Sequence, residues 1–226
     1  MLKIKGFSGN VLKIIAAAAM LLDHMGRMFF PGNEFFRILG RLAFPIFAFM
    51  IAEGSKYTRN RRRYLGQLLA LAIVCQIVYF LVDGSLYLSV LFTFSLSLVM
   101  IFSMQAFKER PTAFRFGIFL LVSASVWTLN QLFTVDYGFF GCMVPVFAAL
   151  PHGTKWDRKD RSVACLGLGL LLLALDLGGW QIWSLAAIPL LLLYSGQRGK
   201  WKMKYFFYIF YPAHLALLQG LAWILL

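Results

Sequence analysis

VLKIIAAAAMLLDHMGRMFF, residues 11–30, is long enough and apolar enough to cross a bilayer as a helix, which takes about 20 residues. The stretch nevertheless carries four ionisable side chains, those of Lys13, Asp23, His24 and Arg27. Charged groups inside a membrane span are costly, and their presence there favours a functional role. We therefore expect a membrane helix that contributes side chains to a polar site.

Lys13 and His24 are eleven residues apart, which in an α-helix corresponds to three turns plus about 20° and a rise of about 16 Å. Both side chains are therefore predicted on one face of the helix, one near each end. A cation and a titratable base in this arrangement suit a long ligand with an anionic head and a reactive tip. Acetyl-coenzyme A (acetyl-CoA) has that shape.

Composition indicates a membrane protein throughout. The 226 residues are 61% hydrophobic, with a mean hydropathy of +0.75, and apolar runs recur from end to end. We predict an all-α, polytopic integral membrane helical bundle in which residues 1–226 form a single domain. The net charge of +13 does not indicate nucleic acid here, because the basic residues cluster between the apolar runs. The three cysteines lack metal-ligand spacing, so no metal site is predicted.

Apolar runs bounded by charge or turn signals predict about nine transmembrane helices, at residues 11–30, 35–56, 64–82, 87–107, 113–133, 138–151, 162–178, 180–195 and 204–226. Alternate connections are basic, from Lys3 and Lys5 onward to Arg198, Lys200, Lys202 and Lys204. The other connections contain no lysine or arginine. By the positive-inside rule the basic set is cytoplasmic, so the amino terminus is predicted inside and the carboxyl terminus outside.

The first span contains the main candidates for chemistry. His24 titrates near neutral pH and is a candidate general base, the alternative being a packing histidine bonded to a neighbouring helix. Asp23 can pair with Arg27, four residues on, or with a group on the second span, in either a structural or a catalytic role. Lys13 either binds a ligand or extends to the interface. Ala16–Ala19 either pack closely or leave a slot for an acyl-carrying arm.

The second span adds two arginines and a glutamate. Arg41 lies in the outer half and either neutralises Asp23 or stabilises a developing oxyanion. Arg37, one turn earlier on the same face, contacts substrate or extends to the surface. Pro45 is expected to bend this helix. Glu53 either forms a wall of a nucleotide site or pairs structurally with a neighbour.

Two further groups remain open. The basic loop TRNRRRY at 58–64 mainly indicates topology, and its arginines, Arg59 and Arg63 among them, are candidate phosphate ligands. In the last span, Pro212 is expected to break the helix beside Tyr211 and His214. These last two side chains are candidates for substrate or oxyanion contacts, although His214 is equally a candidate for a buried structural histidine.

Three segments together resemble a known family: LKIIAAAAMLLDHMGRMF at 12–29, FRILGRLAFPIFAFMIAEGSKYTRNRRRYLGQLL at 36–69 and KYFFYIFYPAHL at 204–215. The order of DH, GR-x-AFP, AEG-x-x-x-T-x-N and YPAHL is similar to that of the TraX family, named for the pilin acetylase of conjugative plasmids. The spacing of Lys13 and His24 also resembles the basic-residue, ten, histidine signature of the acyltransferase-three group. In that group the histidine is taken as catalytic and the basic residue as an acyl-CoA contact.

The resemblance implies a membrane acetyltransferase with acetyl-CoA as donor and the amino-terminal amine of a pilin or small membrane-delivered polypeptide as acceptor. We expect His24 to accept a proton, Arg41 with Arg27 to stabilise the oxyanion, and Lys13 with cytoplasmic basic residues to hold the nucleotide. The expected location is the bacterial cytoplasmic membrane. Two alternatives remain open: O-acetylation of a cell-surface glycan, and a transporter or assembly factor without enzymatic activity.

Overall fold

A computed structural model describes residues 6–200 and 204–225, and within these ranges every named element is helical. The prediction of an all-helical chain is therefore confirmed for the described residues. Lys3, Lys5 and Lys202, which contributed to the predicted orientation, lie outside them. The elements are α1 (Gly9–Phe29), α2 (Glu34–Gly40), α3 (Ala43–Tyr57), α4 (Arg61–Asp83), α5 (Val90–Glu109), α6 (Ala113–Leu132), α7 (Gly138–Ala149), α8 (Lys159–Leu177), a 3-10 helix (Gly179–Ala186), α9 (Ala187–Leu192) and α10 (Lys204–Leu225).

Four segments of the described chain are long and apolar enough to cross a membrane: Glu34–Tyr57, Arg61–Leu81, Val90–Glu109 and Ala113–Leu132. These segments support a membrane protein. All nine predicted segments are helical, but the number that cross and their direction remain predictions. Helix α7, with 12 residues, is about 18 Å long and so shorter than a bilayer core of about 30 Å.

The second predicted span is interrupted between α2 and α3, at Arg41 and Leu42. Pro45 explains the interruption because it has no N–H to donate to the carbonyl of Arg41, four residues earlier. Pro45 therefore disturbs the helix as predicted, but the result is an interruption at Arg41 and Leu42 rather than a bend. The prediction for Pro212 is wrong, since α10 continues from Lys204 to Leu225 through that residue.

The eighth predicted span is not one regular helix. The predicted segment, 180–195, lies in a 3-10 helix that begins at Gly179 and in α9, which follows it. Gly178 and Gly179 have φ angles of 66° and 52°, which favour glycine. Gln181 and Ser184 are buried within the 3-10 helix. A short, tightly wound helix brings the polar Gln181 side chain into the bundle, where it contacts α2–α3.

The core of the bundle lies around α7, which packs against α8, α5 and α3. In α7, Cys142, Val144 and Ala148 are fully buried. By contrast, α6 exposes large apolar side chains, including Phe114 (77% exposed) and Leu121 (68% exposed), as expected of a lipid-facing helix. Helix α1 packs against α2, α3 and α10, and this contact region surrounds the charged residues of the first span.

Candidate functional site

A small cavity of about 50 Å³ lies where α1, α2, α3, α5, α10 and the α6–α7 loop meet. Its volume accommodates about three or four water-sized groups. It combines four ionisable side chains with aromatic walls. It is lined by Met20, Asp23, His24, Arg27, Gly40, Ala43, Phe44, Phe47, Val90, Phe94, Asp136, Tyr137 and Tyr211.

The His24 ring has a defined orientation and tautomer. Its Nδ1 lies 2.8 Å from the carbonyl oxygen of Met20, four residues earlier. Because a carbonyl oxygen only accepts hydrogen bonds, Nδ1 is the donor, and in the neutral ring Nε2 then keeps its lone pair. The ring also meets that of His214 edge to face, with centroids 5.1 Å apart. In the neutral form of His24 the unprotonated nitrogen is therefore Nε2, and an unprotonated nitrogen is what a general base requires.

His214 repeats this arrangement on α10. Its Nδ1 lies 2.8 Å from the carbonyl of Phe210, and its ring stacks on the Phe210 ring at a centroid distance of 4.9 Å. Its Nε2 is buried and makes no hydrogen bond within the described part of the chain. His214 packs directly behind His24 but does not line the small cavity. The observed contacts suit a group that orients the His24 ring.

Asp23 connects two arginines from different helices. Its Oδ2 lies 3.1 Å from Arg27 Nε, which is the predicted pair at a spacing of four residues. Its Oδ1 lies 3.6 Å from an Arg41 Nη, and Arg41 also donates a hydrogen bond to Gln181 at 3.1 Å. Arg41 is buried and neutralises Asp23 from outside the cavity lining, whereas Arg27 lines the cavity. Of the two, Arg27 is therefore the better placed to meet a bound carbonyl oxygen.

Gly40 makes this packing possible. A Cβ atom at residue 40 would lie 2.4 Å from the Cβ of Asp23, closer than real contacts allow. The backbone of α2 therefore touches the Asp23 side chain directly. Any side chain here would displace the carboxylate that holds both arginines.

A second, large cavity of about 480 Å³ lies between α1, α3, α4, α5 and α10. This volume is within the range of small-molecule sites. Most of its lining is apolar, but Lys13 and Arg198 are at one end. The large cavity is lined by Asn10, Lys13, Met20, Phe47, Met50, Ile51, Tyr64, Gln67, Leu68, Leu71, Val90, Leu91, Phe94, Arg198, Phe207, Phe210 and Tyr211.

The two cavities share five lining residues: Met20, Phe47, Val90, Phe94 and Tyr211. They are therefore adjacent, with the Lys13 cation in one and the His24 imidazole in the other. The sequence prediction that α1 directs both groups to one side agrees with this arrangement. The alanine strip does not line either cavity, and Ala16, Ala17 and Ala19 are buried in helix packing.

The position of Arg198 depends on the amino-terminal segment. Gly9 donates its backbone N–H to Gln197 at 2.7 Å, and Asn10 donates to the Arg198 carbonyl at 3.0 Å. Phe7 forms a parallel bridge with Tyr194. The chain before α10 is thus held against the start of α1. Lys13 and Arg198 interact unfavourably, and neither has an acidic partner within 4.0 Å among the described residues.

Other predicted site residues lie elsewhere. Within the described chain, Arg37, Glu53, Arg59 and Arg63 line neither of the two cavities. Arg59 and Arg63 are exposed. A direct contact between these side chains and a ligand in either cavity would require movement. Their assignment to substrate or nucleotide binding stays a prediction.

Sequence reasoning did not assign Asp136, Tyr137 or Arg198 to the site, although all three line the cavities. It read Asp136 only as an acidic residue of an outer connection and Arg198 only as part of a basic cluster. Their neighbours offered a weak signal, because Arg198 lies between Gly196 and Gly199, and Tyr137 precedes Gly138. Such glycines indicate tight backbone turns, yet nothing in the sequence indicates that those turns face α1.

These helices, with apolar outer surfaces and buried charges around adjacent cavities, define a helical membrane protein with an internal polar site. The family model described as "TraX protein" matches residues 8–222. The chain therefore belongs to the TraX family, as its sequence motifs predicted.

Two relatives illustrate the family. The "Probable fimbrial assembly protein FimC, serogroup H1" of Dichelobacter nodosus is 31% identical over an alignment 252 residues long, which covers 94% of this chain and 94% of the relative. "Protein TraX" of Escherichia coli is 26% identical over 222 residues, which cover 94% of this chain and 86% of the relative. No solved structure matches the chain.

Proposed function

We propose that this protein is a membrane-embedded acetyltransferase that moves an acetyl group from cytoplasmic acetyl-CoA to the amino-terminal amine of a pilin or small membrane-delivered polypeptide. The names of the relatives, a fimbrial assembly protein and protein TraX, favour a pilus-related acceptor. In this proposal the chain crosses the bacterial cytoplasmic membrane about nine times, with its amino terminus inside.

The observation that carries the proposal is the adjacency of the two cavities. One contains two cations without an acidic partner within 4.0 Å in the described chain, and the other contains the His24 imidazole. Along α1, Lys13 and His24 are separated by about 16 Å, a distance that an extended pantetheine arm can span. The pyrophosphate would then lie near Lys13 and Arg198, the arm in the large cavity and the acetyl group in the small cavity.

The same arrangement suggests a mechanism. His24 Nε2 accepts a proton from the ammonium group of the acceptor, and the neutral amine nitrogen then attacks the thioester carbonyl. Arg27 stabilises the negative charge that develops on the carbonyl oxygen. The carbon–sulfur bond then breaks, and coenzyme A leaves as the thiolate, which takes up the remaining extra proton of the attacking nitrogen. Arg41 and Asp23 hold Arg27 in place, and His214 orients the His24 ring.

The test combines binding with turnover in purified protein reconstituted in nanodiscs. We expect the wild-type chain to bind acetyl-CoA and to acetylate a peptide with a free amino terminus, as measured by intact mass. His24→Gln keeps the size and polarity of the side chain but removes the base, so turnover should fall by at least about 10³-fold while acetyl-CoA still binds. Retained turnover in this variant, or no acetyl-CoA binding by the wild-type protein, would contradict the proposal.

A further inference from the structure

The loop between α6 and α7 brings a second carboxylate, that of Asp136, to the small cavity. This loop is fixed by backbone hydrogen bonds: Leu88 donates to Thr134 at 2.9 Å and Asp136 donates to Leu88 at 2.9 Å. The Thr93 hydroxyl donates to the Asp136 carbonyl at 2.5 Å. Asp136 is therefore held in position by α5 and its preceding connection.

The adjacent residue, Tyr137, has an unusual backbone conformation. Its φ angle is 62°, in the left-handed region that costs a non-glycine residue of the order of 1 kcal/mol. Its ring stacks on Phe44 with centroids 4.0 Å apart, which helps to hold this conformation. Such strained residues concentrate at functional sites. Here the turn places Asp136 and Tyr137 together on the cavity wall.

The two carboxylates of the small cavity have different partners. Asp23 lies within salt-bridge distance of both Arg27 and Arg41. Asp136 has no ion pair within 4.0 Å in the described chain, and its side chain accepts a hydrogen bond from the neutral Tyr87 hydroxyl at 2.9 Å. Arg27 and Arg41 equal the two carboxylates in number, but both arginines lie within salt-bridge distance of Asp23.

Burial raises the pKa of Asp136, and the Tyr87 hydrogen bond with the more distant charges of Arg27 and Arg41 only partly offsets this effect. A partly buried carboxylate without a close cation is destabilised by its loss of hydration. A cation that entered the cavity would relieve this cost. A neutral hydroxyl group would relieve much less of it.

We infer that Asp136 is the binding site for the ammonium group of the acceptor, and that it makes the enzyme selective for amines over hydroxyl groups. The inference rests on the proposed function, because it assigns the acceptor side of the same cavity. Tyr87 holds the carboxylate in position. Asp136 contacts the acceptor nitrogen, whereas His24 removes a proton from it.

The proton balance is complete with the groups present. The ammonium bound at Asp136 gives one proton to His24 Nε2 and becomes a neutral amine. The amine forms a carbon–nitrogen bond to the acetyl carbonyl, and the carbon–sulfur bond breaks. The second nitrogen proton passes to the departing coenzyme A thiolate, and His24 releases its proton to water. The products are an acetylated amine, free coenzyme A and one proton.

The experiment measures acceptor binding without acetyl-CoA, so that its result does not depend on transfer. The probes are Ala-Ala-Ala-amide and lactyl-Ala-Ala-amide, which differ only by an amino-terminal ammonium or hydroxyl group. Binding to protein in nanodiscs is followed by calorimetry at pH 7. We expect the wild-type protein to bind the ammonium probe at least tenfold more tightly than the hydroxyl probe.

In Asp136→Asn, which keeps an acceptor oxygen for Tyr87, we expect this preference to disappear through weaker binding of the ammonium probe alone. The matched control is Glu34→Gln, which removes an exposed carboxylate from the first turn of α2 and should leave the preference intact. Equal affinity of the wild-type protein for both probes would overturn the inference, and this comparison needs no variant. An unchanged preference in Asp136→Asn would also overturn it, while leaving acetyl-CoA binding and the proposed function untouched.

Discussion

The small and large cavities share part of one wall and differ in how their charges are arranged. In the small cavity, Asp23 forms ion pairs with Arg27 and, outside the cavity lining, with Arg41, and His24 is held by a backbone carbonyl. In the large cavity, Lys13 and Arg198 lie at one end of a mostly apolar space and have no acidic partner in the described chain. Paired charges in fixed positions, such as Asp23 and Arg27, suit chemistry at a defined atom, whereas unpaired cations suit the binding of an anion.

The comparison predicts the largest effect on acetyl-CoA binding at the cationic end of the large cavity. Lys13→Met and Arg198→Gln should each weaken acetyl-CoA binding about tenfold, and together about 100-fold, because each removes a charge contact to the pyrophosphate. The turnover number at saturating acetyl-CoA should change little, since the small cavity is intact. Equilibrium binding and initial rates measure the two quantities.

The control for this pair is Arg110→Gln, which removes an exposed cation that lines neither cavity. Its affinity for acetyl-CoA should equal that of the wild-type protein. If all three single variants lost affinity equally, general surface charge would explain binding, and the large cavity would lose its assigned role.

A smaller effect is expected at Gly40, which lines the small cavity. Gly40→Ala should destabilise the fold by about 2 kcal/mol, because the new methyl group overlaps the Asp23 side chain. It should also lower turnover more than acetyl-CoA affinity, since the displaced carboxylate holds Arg27. Thermal unfolding and kinetics of the reconstituted protein provide the measurements.

Gly66→Ala is the matched helix control, since no atom lies within 4 Å of the added methyl group and alanine favours a helix by up to about 1 kcal/mol. We expect this variant to be at least as stable as the wild-type protein. Equal behaviour of the two alanine variants would show that contact between α2 and Asp23 is not important.

The smallest predicted effect is on stability and concerns His152, which is in the α7–α8 loop and lines neither cavity. Burial lowers the pKa of His152 to about 4, with further lowering by the charges of Lys56 and Lys108 and an opposing effect of Asp157. His152 therefore stays neutral in the folded protein while it takes up a proton in the unfolded chain below its ordinary pKa of about 6.5. Its contribution to stability is complete above that pH and declines as the pH falls toward 4.

Between pH 6.5 and 5.5 the loss from His152 should be about 1 kcal/mol, measured as a fall in the free energy of unfolding. His152→Gln should flatten this part of the stability profile. The variant distinguishes a pH effect on folding from a pH effect on catalysis at His24. A profile that is unchanged by the substitution would place the sensitive group elsewhere.

The sequence predicted much of this arrangement because its strongest signals are local. The phase of Lys13 and His24 follows from helical geometry alone, and so does the pairing of Asp23 with Arg27. By contrast, Asp136 and Arg198 reach the cavities from connections that are distant in sequence. Their positions depend on how Leu88 and Gly9 pair with those connections, and neither hydropathy nor periodicity contains that information. The short helices around Gln181 were missed for the same reason.

The central claim is that one continuous space connects the cations to the imidazole, and Met20, which lines both cavities, tests it most directly. The test variant is Met20→Cys combined with Cys165→Ser, and the measurement is its rate of modification by methyl methanethiosulfonate with and without saturating acetyl-CoA. Cys75 and Cys142 are buried, and the protein that carries Cys165→Ser alone gives their background rate. We predict that acetyl-CoA slows modification at least tenfold, and that the same concentration no longer protects when Lys13→Met and Arg198→Gln are added. An unchanged rate in a variant that still binds acetyl-CoA would contradict the account.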